Sequence, residues 1–140
     1  MTTEELCANL KKSHGIVDAA SNKLWAVSID LPENSEENVV RLPIAATTAH
    51  DVSETLEVMR FYLSTDERTN ERQLSSEELE KICAIICKHL WLVRDLLEDV
   101  LYDPAVATNE YGSYLWVLST AIAEMIGKFQ QKGDNEGQTV

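Results

Sequence analysis

The stretch from Leu74 to Asp103, LSSEELEKICAIICKHLWLVRDLLEDVLYD, constrains the fold more than any other. Leu79, Cys83, Ile86, Leu90, Val93, Leu97 and Val100 recur at spacings of four and three. That period lines up one side of an α-helix, whereas a strand needs a period of two. Ile82, Ile85, Leu92 and Leu96 widen the stripe to about half the circumference. A helix this broadly apolar needs more than one neighbour, so it is expected to be central. Ser75 and Glu78 stand three apart just before the apolar run, the spacing of a capping box.

The rest of the chain supplies candidate neighbours. Leu6, Leu10, Val17, Ala20, Leu24 and Val27 form a stripe over residues 2–27, interrupted by Ser13. Thr2 and Glu5 again have capping-box spacing. Gly15 is a weak point, costing about 1 kcal/mol relative to Ala inside a helix. Ala49, Val52, Leu56, Met59 and Leu63 mark a second helix, expected from Thr47 or Thr48 to about Thr65, with TDERTNERQ connecting it to the third. Asp103-Pro104 should end the third helix, because residues before proline avoid the helical region. Tyr111, Leu115, Leu118, Ile122, Met125 and Phe129 then mark a fourth helix from about Asn109 to Gln131.

The expected fold is all-α: a four-helix bundle in one domain, residues 1–131, with a disordered C-terminal tail over 132–140. The segment 28–46 breaks the pattern. PENSEEN is acidic and turn-rich, and Pro43 opposes helix. A long connection between helices 1 and 2 is therefore expected, with a partner-binding role in view. The alternation of Val27, Ile29 and Leu31 also allows a minor β-hairpin near residues 25–43.

Charge narrows the function classes. The net charge is −12. Residues 1–27 are neutral, every later segment is acidic, and none carries a basic patch. Direct nucleic-acid binding is not expected, since it depends on Lys and Arg neutralising phosphates. Anionic membrane surfaces are disfavoured for the same reason. No apolar run reaches the roughly 18 residues of a membrane span. The acidic start MTTEELC resembles neither a signal nor a transit peptide, so a cytoplasmic location is expected. Three cysteines, an odd number, then read as reduced thiols.

Motifs for chemistry are sparse. Lys11, Thr47 and Ile86 precede His14, His50 and His89 by three residues, so the Glu-x-x-His pattern of di-metal bundles is absent. His89 falls in the apolar arc of its helix and reads as a core histidine. Cys83 and Cys87 lie one turn apart; a structural zinc site would need two more ligands, drawn from Cys7 and a histidine. No Gly-x-Ser-x-Gly elbow, phosphate loop or His-Glu-x-x-His motif occurs. No catalytic residue, cofactor or metal ligand is assigned, and an enzyme is not expected.

The tryptophans point elsewhere. Trp91 falls on the polar arc of the third helix. Trp116 falls opposite the seam of the fourth, among Ser113, Ser119, Thr120, Ala123 and Gly127, where small residues would admit another helix. Trp25 lies off the first seam. Tryptophan is enriched at interface hot spots. Trp91, Trp116, Ser113 and Thr120 are the candidate interface residues, and the expected partner is a second copy in a two-fold homodimer. The alternatives are an acidic inhibitor, or nucleic-acid mimic, occupying a basic site of a partner protein, and a small metal protein or enzyme using the histidines and cysteines.

Overall fold

The computed structural model describes the backbone of residues 1–30, 36–69 and 74–138, and side chains over 1–30, 39–63 and 74–130. The helices are α1 (Thr3–Asp30), α2 (Glu36–Thr69), α3 (Ser76–Leu101), the single turn α4 (Pro104–Ala107) and α5 (Gly112–Gln138). No strand occurs among the described residues.

The four long helices form a ring in the order α1, α2, α3, α5, each packed on two neighbours, with only slight contact across the α1–α3 diagonal. Two hydrogen bonds fix the directions. Thr3 Oγ1 accepts from Leu74 N at 3.3 Å, joining the start of α1 to the approach to α3. Asn109 Nδ2 donates to Asp30 Oδ2 at 2.6 Å, joining the far end of α1 to the α4–α5 turn. Successive long helices therefore run antiparallel.

The stripes read from sequence are the core. Leu6, Leu10 and Leu24 of α1, Ile86, Leu90 and Leu97 of α3, and Leu115 and Ile122 of α5 are all buried. The expected third helix is α3, started by a complete capping box: Ser75 Oγ accepts from Glu78 N, and the Glu78 side chain accepts from Ser75 N. Thr2 Oγ1 likewise accepts from Glu5 N at 3.1 Å. Asp103 ends the α3 segment and caps α4 by accepting from Ala105 N at 2.9 Å.

The helix 1–2 region differs from expectation. α1 continues to Asp30 and α2 already starts at Glu36, so the long connection and the hairpin do not form in the described part of 25–43; residues 31–35 lie outside it. The reason lies in the seam. Leu42, Ala45 and Ala46 extend the α2 stripe back from Ala49, and all are buried. Pro43 sits inside α2. Interior proline costs about 3 kcal/mol by removing one hydrogen bond and crowding the preceding turn. Burial of Leu42 alone returns roughly 1.5–3 kcal/mol. Propensity loses to packing, as it often does.

α5 starts at Gly112 rather than Asn109. Its Cβ, if present, would lie 2.1 Å from Val106 O and 2.7 Å from Ala107 O, so the α4–α5 turn closes on a position only glycine fills. At its other end the α5 backbone continues helical through Gln138, into the segment expected to be a tail; Thr139 and Val140 lie outside the described residues.

Candidate interface on the α3–α5 face

On α3, residues Glu80, Ala84, Cys87, Trp91, Glu98 and Tyr102 repeat at three, four and seven, which sets them in one row. On α5, Trp116 and Gln130 are fourteen apart and share a row for the same reason. The two rows border the outer side of the α3–α5 seam, where two recesses open. One, of about 420 Å³, has Trp91 at its rim and Cys83, Cys87 and Phe129 among its walls. The other, of about 390 Å³, is walled by Glu98, Leu101, Tyr102 and Trp116. Trp91 is 41% exposed and Trp116 51%. Sequence periodicity placed each off its own seam; the fold sets both on one composite face.

Arg94 links the recesses. Its guanidinium stands 5.1 Å from the Trp91 ring centre, and Nη2 forms an ion pair with Glu98 Oε1 at 3.1 Å. The row Trp91–Arg94–Glu98–Tyr102 thus alternates ring, cation, anion and ring along one helix edge. The sequence reading passed over Glu98 and Tyr102. The Arg94–Glu98 spacing of four was visible, but the recess behind it forms only when α5 lies alongside.

Ser113 and Thr120 are exposed on α5 but line neither of these recesses. Their hydroxyls are taken locally: Ser113 Oγ donates to Glu110 O at 3.2 Å, and Thr120 Oγ1 to Trp116 O at 3.1 Å. Trp25 is exposed on α1. Apolar exposure is not confined to this face, for Val58 and Tyr62 of α2 and Ile85 and Leu92 of α3 are also exposed.

The histidines do not converge. His14 Nε2 of α1 pairs with Glu57 Oε2 of α2 at 2.9 Å, and His50 Nε2 pairs with Glu54 Oε1 at 2.9 Å. His89 is half-buried on α3. Among the described residues no three His, Cys, Asp or Glu side chains gather as a metal set would require. Cys83 and Cys87 are buried thiols, with Cys83 Sγ 3.9 Å from Met1 Sδ. Burial, and secondarily the neighbouring Cys83, pushes the Cys87 thiol up to about 11. Such a thiol stays protonated at neutral pH and is a poor nucleophile.

Among the described residues no helix is long and apolar enough to cross a membrane. Comparisons with protein-family models, curated proteins and solved structures return no match.

Proposed function

We propose that this protein works by binding rather than catalysis, and that its docking surface is the outer α3–α5 face. The supporting observation is the placement of Trp91 and Trp116, both about half exposed, on one continuous face at the rims of two recesses. Large aromatic side chains contribute most of the energy of many interfaces. The simplest occupant is a second copy, because two-fold pairs are the commonest assemblies. That face also carries both signs of charge, in Glu80 and Glu98 against Lys88 and Arg94, so it can complement a copy of itself. Sedimentation equilibrium at high micromolar concentration is the test. A mass twice 15.7 kDa is expected, falling to the single-chain value in the W91A/W116A double variant. A single-chain mass for the unaltered protein overturns self-association.

A second reading, a basic protein partner, is supported by charge. Residues 95–127 contain six carboxylates and neither Lys nor Arg. Complementary charge of this kind mainly sets association rate and partner choice.

A further inference from the structure

We propose that the cleft formed by Trp116, Tyr102 and Glu98 receives one cationic side chain, lysine or arginine, from a basic segment of a partner protein. The proposal rests on the second reading above and names its site.

The chemistry of the walls is that of a cation receptor. The faces of tryptophan and tyrosine rings attract ammonium and guanidinium groups. Trp116 is half exposed and Tyr102 is 86% exposed, so both rings are reachable. Glu98 supplies the formal charge. Arg94 Nη2 pairs with its Oε1, and the Glu98 side chain is 43% exposed, so a carboxylate oxygen stays reachable from solvent. A charge-assisted hydrogen bond to such an oxygen is stronger than a neutral one.

The position within the fold reinforces the sign. Tyr102 is the C-cap of α3, and the last turn of α3 has no basic residue. The negative end of the helix dipole, usually matched by Lys or Arg there, is left to other cations. Asp95, Asp99 and Asp103 on and just beyond α3 add like-signed field. Arg94, the cation paired with the Glu98 wall among the described residues, is already committed to Glu98 and Trp91.

The shape selects the kind of ligand. Leu101 forms an apolar wall, and the recess opens to solvent along the helix edge. An aliphatic stem ending in a charge, as lysine and arginine present, matches a wall of this composition. An anionic phosphate or a lipid headgroup bearing one is repelled by the same carboxylates.

The test uses the full chain and a blocked octapeptide alternating lysine and glycine, with a glutamine–glycine octapeptide as control. The readout is the indole N–H resonance of each tryptophan. The lysine peptide should shift the Trp116 signal saturably, and the glutamine peptide should not. Affinity should fall about threefold in Y102L, the loss expected for an exposed cation–π contact. It should fall about fivefold in E98Q. D51N, which removes an equal charge from exposed α2, should change it by less than roughly twofold. Equal losses in E98Q and D51N would mean diffuse attraction and overturn the site. A shift at Trp91 alone would overturn it while keeping the face as the docking surface. No shift at either tryptophan overturns both. Tyr102 is almost fully exposed, so Y102L carries little folding risk, and a circular dichroism spectrum verifies this.

Discussion

The α1–α2 seam and the α3–α5 seam are built from the same helical period and end differently. Between α1 and α2 the facing residues are small: Ala20 and Ser21 meet a run of Ala45, Ala46 and Ala49, and all are buried. Ser21 Oγ donates to Ala46 O at 2.9 Å, and His14 reaches Glu57 across the same seam. These backbones approach closely enough for a side-chain hydroxyl to bond a neighbouring helix's carbonyl. This is the most extensive helix pair in the bundle. Between α3 and α5 the buried floor is as apolar, but the outer rim carries Trp91, Trp116 and Tyr102. At this rim recesses open beside Trp91, Trp116 and Tyr102. One stripe spacing thus serves two seams whose rims carry side chains of different size.

The largest effects should show that both floors are equally core. Leu24→Ala in α1 and Leu97→Ala in α3 should each cost about 2–5 kcal/mol in urea unfolding, because both leucines are fully buried. A loss below about 1 kcal/mol for Leu97→Ala would show the α3–α5 floor to be loosely packed, and would end the comparison.

Alkaline pH probes the α3–α5 seam through one thiol, read as the difference between the parent and Cys87→Ala. The Cys87 thiol is raised from 9.0 to about 11 in the fold. Its proton is therefore held more tightly in the folded chain than in the unfolded one. The stabilisation is complete below pH 9 and lost as pH rises to about 11. The expected loss is about 2 kcal/mol. Melts between pH 8 and pH 11 should show the decline, and it should be smaller in Cys87→Ala.

Enlarging a small residue separates the two rims. Ala49→Leu, on the closed α1–α2 seam, should destabilise by about 1–3 kcal/mol through overpacking. Ala84→Leu is exposed beside the Trp91 recess and should stay within about 0.5 kcal/mol of the parent. Equal losses would show that the α3–α5 rim is packed shut.

The smallest effects compare two buried serines of α1. Ser21 donates to Ala46 O, so Ser21→Ala should cost about 1 kcal/mol. Ser13 Oγ is buried with no hydrogen-bond partner among the described residues. Ser13→Ala should stabilise by about 1 kcal/mol, since it removes a desolvated hydroxyl. Thermal melts of the two variants should move in opposite directions.

The sequence by itself determined the all-α class, the α3 capping box, the Thr2 cap on Glu5 N and nearly every buried position on α1, α3 and α5. It could do so because helix period and local caps are properties of neighbours within a turn or two. It misjudged 36–46, since Pro43 is a local signal and the burial of Leu42, Ala45 and Ala46 against α1 is not. The site divides the same way. Trp91 and Trp116 were each legible as off-seam aromatics from their own helices. That they share one face, and that Glu98 and Tyr102 join Trp116 around a recess that Ser113 and Thr120 do not line, were decided only when α3 and α5 packed side by side. A helical wheel records direction within one helix; which directions meet depends on contacts between residues far apart in the chain.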